Sequence, residues 1–436
     1  MAFVEESLTV AETGGSGVGA PDAGRPSSPG GAPARQYLYG LDVLRVIAAL
    51  FIVYRHFVQW TGFEGHPLGF RDAVNDLVVA PLRLNPHLGM VGLLSLFLIS
   101  GLVITYVTGS ERPGQFLLRR SFRLLPAFWV AVLVMWCLVG LGVSQGARAD
   151  TPADLNSLLG SLTLANFFLT EQKIVLSVTW TLTIQFGFYL FIAATIPLAR
   201  TRPWLPPAVA AVLVGVGLLL TPVVETDTLS QVRTVLTYLP VLFIGQLISL
   251  VRSGRLGPVV GTALGTAHYL LFVGAGLGHD TLPDGPSSER TLLIMVLVTV
   301  LLLRARGGLA RARPVSVLAK RTYAVYLAHI PAGFPILRWV TAETNALLGV
   351  LCAVLATAVA AEALYRFVEM PVHRWYRRRE RARRAPTPSV APGSDHGERP
   401  SAEDARVVRD VVTEGPAPGG RTDVRADTRR DDPVAD

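Results

Sequence analysis

The stretch from Leu41 to Trp60 is long and apolar enough to cross a bilayer, yet it carries Asp42, Arg45, Arg55 and His56. Charged or titratable groups inside a span cost ~3 kcal/mol or more each at its centre, so they face a protein interior or a wet cavity. Arg45 and His56 are eleven residues apart, which is three helical turns plus about 20°, so both lie on one face, roughly 16 Å apart along the axis. Asp42 falls near the same stripe. One helix face therefore presents a cation near one end and an imidazole well inside the span.

The rest of the chain is built on the same plan. Half of its residues are apolar, 17% are charged, and the mean hydropathy is +0.43, values set by repeated apolar runs. These point to an all-α, polytopic membrane bundle of about ten transmembrane helices. Beyond the first span, further runs fall at residues 88–108, 126–144, 179–198, 207–222, 232–252, 257–277, 321–340 and 345–368. The short run Thr291 to Leu303, bounded by Arg290 and Arg304, spans if those arginines snorkel. Residues 154–170 are too polar and short for a span and suit an external amphipathic or re-entrant element.

Loop charges orient the bundle. Alternate connections carry Arg112, Arg119, Arg120 and Arg123, then Arg200 and Arg202, then Arg252 and Arg255, then Arg304 to Lys320; the others are acid-rich. By the positive-inside rule both termini are cytoplasmic. Residues 1–34 are rich in Gly, Ala, Pro and Ser, unable to bury a core, and read as a disordered tail without the features of a cleaved signal peptide. Residues 35–376 form the membrane domain, and 377–436 a basic and then disordered tail. The net charge of +8 sits beside the spans, which makes anionic lipid head groups its partner and not nucleic acid. Cys137 and Cys352 lie in apolar runs and supply neither a disulfide framework nor a metal site. Nothing in the sequence specifies an oligomeric state.

Four groups of residues have the chemistry for a site. His56 can act as a general base, its ring titrating near neutral pH; a structural histidine satisfied by a neighbouring helix is the other reading. Arg119, Arg120 and Arg123 suit a phosphorylated donor at the inner surface, because guanidinium forks bind phosphate; positive-inside topology also accounts for such a cluster. In the run Trp180 to Tyr189, Gln185 is an amide that must hydrogen-bond inside a span, and an interfacial aromatic belt explains Trp180 and Tyr189. Tyr326 and His329 share one helix face.

In order along the chain stand Leu41-Asp42 with Arg45 and His56, Leu96-Phe97-Leu98-Ile99-Ser100-Gly101, Arg119-Arg120 with Arg123 and Pro126, Trp180 to Tyr189, Tyr323 to His329, and Val368-Glu369-Met370-Pro371. Over residues 37–376 this set resembles the acyltransferase 3 family, integral membrane enzymes that O-acylate surface polysaccharides and some antibiotics. The resemblance implies acyl-CoA as the donor, met from the cytoplasm, with no permanently bound cofactor. Arg45 and His56 match the family's Arg-X10-His pair, and Arg120 with Arg123 its Arg-X-X-Arg pair. His56, Arg45 and Asp42 would then be catalytic, and Arg119, Arg120 and Arg123 would hold the donor. Ser100, Trp180, Gln185, Tyr189, Tyr326, His329 and Glu369 would contact substrate or brace those groups. The implied product is an acylated, typically acetylated, carbohydrate in a bacterial inner membrane, with a surface polysaccharide or a glycosylated antibiotic as acceptor. Gln185 stands where the family commonly has Glu, and Leu96-Phe97 where it has Phe-Phe. A glycan or lipid-precursor transporter, and a weakened family member with a binding or sensory role, are the competing classes.

Overall fold

Hydrocarbon offers the backbone no hydrogen bonds, so a spanning segment must satisfy its own N–H and C=O groups. The computed structural model describes residues 38–86, 88–108, 111–144, 146, 152–169, 171–222, 226–277, 282–283, 285–305 and 307–384. Among these the fold is helical throughout, with no strands. The expected N-terminal tail and most of the C-terminal one lie outside the described residues. The long helices are α1 (Tyr39–Phe63), α2 (Gly89–Thr108), α3 (Pro113–Gly140), α4 (Thr179–Thr201), α5 (Leu205–Leu220), α6 (Asp227–Arg252), α7 (Pro258–Gly276) and α8 (Gly285–Leu302). They are followed by α9 (Thr322–Ala328), α10 (Phe334–Glu343), α11 (Ala346–Leu364) and α12 (Met370–Arg384).

Among the described residues, seven helices are long and apolar enough to cross a membrane. Helix α1, with 25 residues, is not one of them because of its charges, and α5 is shorter, with 16 residues. Large apolar side chains such as Leu50, Leu190, Leu213, Leu270, Leu297 and Leu355 point outward and are exposed, while Phe57, Phe116, Phe128, Phe188, Phe243 and Phe272 fill the interior. An apolar exterior of that extent is covered by lipid, and the chain is a multi-pass membrane protein.

Several elements depart from the sequence expectations for identifiable reasons. Helix α3 starts at Pro113, well before the expected 126, because proline suits a first helical turn, so the arginines at 119, 120 and 123 lie on its early turns. Helix α8 begins before Thr291, since Ser287 and Ser288 are buried and receive hydrogen bonds from the Asn85 side-chain amide. The segment from residue 154 contains, in keeping with the amphipathic element expected there, the helix Leu155–Leu162, capped by the Asp154 carboxylate, which accepts from the Ser157 backbone N–H at 2.8 Å. That bond holds the Asp154 carboxyl below its usual pKa. Helix α12 continues past residue 377 to Arg384.

Helices α2 and α6 are the most enclosed and pack most extensively on each other. Their approach rests on two glycines. A Cβ at Gly101 would lie 1.9 Å from the Leu242 carbonyl oxygen, and one at Gly245 would lie 2.2 Å from that of Leu98. Small residues let helix backbones meet where no hydrophobic force drives them together.

Among the described residues, three π-helical turns interrupt the regular ladder: Asn75–Val79, His329–Gly333 and Tyr365–Glu369. Each is followed two residues later by a proline, Pro81, Pro335 or Pro371. Proline has no N–H and clashes with the carbonyl four residues back, so the preceding turn widens to relieve it. The second turn runs from α9 into α10, and the third from α11 into α12.

Gly101→Val puts branched carbons into the Leu242 backbone and cannot be absorbed by a side-chain shift. We expect it to destabilise the fold by about 1–3 kcal/mol or more, seen as a lower melting temperature in detergent, whereas Gly265→Ala, in open space, should melt like the parent.

Candidate active site

Helix α1 delivers His56 to the bundle interior and the second π-turn delivers His329. Phe57 makes this meeting possible: its ring lies where a Cβ on Gly333 would sit, 2.2 Å from Cζ, so only glycine lets α1 approach the turn. His329 is fully buried and His56 half-buried; their rings are 4.9 Å apart. His329 Nδ1 lies 2.7 Å from the Tyr326 carbonyl, and its Nε2 lies 3.2 Å from His56 Nδ1. His56 Nδ1 is also 3.0 Å from the Ile52 carbonyl.

These contacts fix both tautomers. A carbonyl only accepts, so His329 Nδ1 carries hydrogen and donates to Tyr326, leaving a lone pair on Nε2 in the neutral ring. His56 Nδ1 then faces two acceptors, the Ile52 oxygen and His329 Nε2, and must be the N–H they share. The remaining His56 nitrogen, Nε2, holds the free lone pair and makes no hydrogen bond among the described residues. A neutral imidazole set in this way is a proton acceptor aimed through Nε2.

Beside the pair lies a pocket of about 860 Å³, its open mouth included. Ser100 of α2, Arg120 and Arg123 of α3, Gln185 and Tyr189 of α4, and Tyr323 and Tyr326 of α9 face it. Tyr326 joins the two regions, since its ring walls the pocket and its carbonyl holds His329. The Tyr326 hydroxyl bonds Thr181 Oγ1 at 2.5 Å and donates to the Val178 carbonyl at 3.1 Å. The Gln185 amide bonds the Ser100 hydroxyl at 2.9 Å and the Tyr189 hydroxyl. Hydroxyls both donate and accept, so a neutral amide satisfies them in the place of a carboxylate.

Arg120 is only 3% exposed, with its guanidinium 5.4 Å from the Phe116 ring centre. Neither Arg120 nor Arg123 has a carboxylate within salt-bridge distance among the described residues. A smaller pocket of about 470 Å³ continues past Arg123 to Lys320, Glu369 and His373. Two arginines without carboxylate partners, one of them deeply buried, suit an anionic ligand.

Other expected residues are placed elsewhere. Asp42 and Arg45 pair with each other at 2.7 Å, both buried. Arg119 is bound by Glu111 at 2.5 Å and by Glu380, so two carboxylates already neutralise it. Trp180 packs on Tyr238 with ring centres 5.2 Å apart. Glu369 lines the smaller pocket with Arg123. The residues not anticipated are Thr181, Tyr323, Lys320 and His373. Tyr323 was legible, being three residues before Tyr326 and so on its face; Lys320 and His373 carry no such pattern. Among the described residues no group of three or more His, Cys, Asp or Glu could hold a metal.

Residues 38–366 match the family model described as an acyltransferase domain. The chain is also similar to the exopolysaccharide production protein ExoZ of Rhizobium meliloti (strain 1021), with 27% identity over 319 residues, covering 68% of this chain and 92% of that one. No solved structure matches it.

Gln185→Leu leaves the Ser100 and Tyr189 hydroxyls without their shared partner. We expect a loss of about 1–3 kcal/mol, read as a fall in melting temperature in detergent, while Gln185→Glu, whose carboxyl can accept from both hydroxyls in turn, melts close to the parent.

Proposed function

Since the chain belongs to the acyltransferase 3 family, we propose that it transfers an acyl group, acetyl in the first instance, from acyl-CoA to a hydroxyl of a cell-surface polysaccharide. The observation that carries this reading is the His56–His329 pair, with a free lone pair on His56 Nε2, set beside the pocket walled by Arg120 and Arg123. The polysaccharide acceptor draws support from the similarity to the Rhizobium exopolysaccharide production protein.

In the proposed reaction, Arg120 and Arg123 bind phosphates of the donor, and Lys320 and His373 extend that basic wall toward the cytoplasm. His56 Nε2 takes the proton of the acceptor hydroxyl as its oxygen attacks the thioester carbonyl. The tetrahedral intermediate collapses with cleavage of the C–S bond. His56 Nε2–H then returns the proton to the departing CoA sulfur, so the ester and the free thiol form with the imidazole neutral again. His329 touches neither reactant; it holds the His56 tautomer and accepts part of its Nδ1–H. Arg45, tied to Asp42, braces α1.

The proposal includes the topology. A helical segment occupies each predicted span, and the alternation of basic and acidic loops puts both termini and the arginine-rich ends in the cytoplasm of a bacterial inner membrane. Arg45 then lies near the inner surface and His56 deeper, toward the side where a surface glycan would be met.

His56→Ala and His56→Gln should lower transfer by about 10²–10⁴-fold while the protein remains folded in membranes. Labelled acetyl-CoA and purified protein provide the assay, with thiol release and label in glycan as readouts. Near-normal turnover in either variant would remove His56 from the chemistry, and glycan movement without thiol release would make the protein a transporter. His329→Phe should reduce kcat with little change in KM for the donor.

A further inference from the structure

Away from the acyl-transfer site, α6, α7 and α8 enclose a groove of about 1320 Å³ including its open side. Its walls are aliphatic, from Leu247, Ile248, Val296 and Val300 among others. Gly265 of α7 leaves the hollow open, since a Cβ there would meet nothing within 4 Å, while Gly261 packs against Val251, 2.2 Å from where its Cβ would lie, and Thr262 and Thr266 stand beside them. Arg252, the last residue of α6, and Arg304, just beyond α8, stand at one end, while Tyr269 and Leu293 stand at the other.

Ten residues of helix separate Leu303 from Leu293, which is ~15 Å, half of a ~30 Å hydrocarbon core. The groove is therefore one leaflet deep. Both arginines are exposed. Arg252 donates one bond, to the Leu303 carbonyl at 3.0 Å, and neither arginine has a carboxylate within salt-bridge distance among the described residues. Loop topology alone accounts for arginines at a membrane surface, but not for an aliphatic hollow of single-leaflet length beneath them.

We propose that this groove binds one anionic glycerophospholipid, with its phosphate between Arg252 and Arg304 and its acyl chains along α7 toward Tyr269. The walls match hydrocarbon chains, and the paired guanidinium groups match a head group with net negative charge better than a zwitterionic one, whose own cation opposes them. The site shares no residue with the pocket holding Arg120 and Arg123, so it stands independently of the acyl-transfer chemistry.

The test uses the full chain, delipidated in detergent, titrated with phosphatidylglycerol or phosphatidylcholine and followed by native mass spectrometry. Phosphatidylglycerol should bind at one saturable site with roughly tenfold preference. Arg252→Gln with Arg304→Gln should weaken it roughly tenfold, to the level of phosphatidylcholine. Gly265→Leu should displace both lipids by filling the hollow. Equal binding of the two lipids by the parent protein, or an unchanged phosphatidylglycerol affinity in the double variant, would overturn the proposal. The arginine variant decides the matter even if Gly265→Leu fails to fold.

Discussion

A charged side chain enters a membrane protein only if something inside meets it, and the rest of this bundle depends on how α1 satisfies that demand. The Asp42–Arg45 pair, closed at 2.7 Å within one helical turn, allows α1 to lie enclosed against α2. Breaking such a pair by removing one partner leaves a buried charge unmet, at a cost of about 3–5 kcal/mol. With the pair closed, α1 can place Phe57 against Gly333 and bring His56 to His329. Charge compensation at one end of the helix thus underlies the placement of the imidazole at the other.

The π-turns then set what the helices present to the interior. A regular helix through residues 322–343 would carry its side chains around by 100° per residue without interruption. The wide turn before Pro335 rephases them at His329, the turn's first residue. Another such turn, before Pro371, ends at Glu369 and leaves it facing the pocket that contains Arg123. In both cases a proline missing one hydrogen bond positions a polar side chain that a regular ladder would aim elsewhere. Such turns recur at functional sites for this reason.

The helical nature of the fold and the position of each apolar segment were legible because hydrophobic run length is a direct consequence of bilayer thickness. Their ends were not. Ser287 and Ser288 look like loop residues until Asn85, some two hundred positions earlier, is found donating to them. The same limit applies at the site. The stripe of Asp42, Arg45 and His56 could be drawn from helical periodicity alone, but the contact between His56 and His329 spans 273 positions, and periodicity contains no information about which helix faces which. Arg119 illustrates the converse, since beside Arg120 it reads as one more phosphate ligand. Glu111 and Glu380, distant in sequence, take it out of that role. Gly101 and Gly333 were visible as glycines, and their purpose emerged only with the Leu242 carbonyl and the Phe57 ring beside them.

Gln185 shows why a departure from a family pattern should be weighed by what the side chain bonds to. Its amide holds the Ser100 and Tyr189 hydroxyls, and in the same pocket stand Arg120 and Arg123 without carboxylate partners among the described residues. An ionised carboxylate at 185 could accept from the same two hydroxyls, to which the amide nitrogen donates, but would bring a negative charge into the arginine-lined pocket. In low-dielectric surroundings that charge opposes an incoming phosphate as surely as the arginines attract it. The amide keeps the geometry and leaves the positive field intact. Under the proposed chemistry, glutamine therefore favours capture of an anionic donor, and the base falls to His56, whose free nitrogen is set by His329 rather than by a carboxylate.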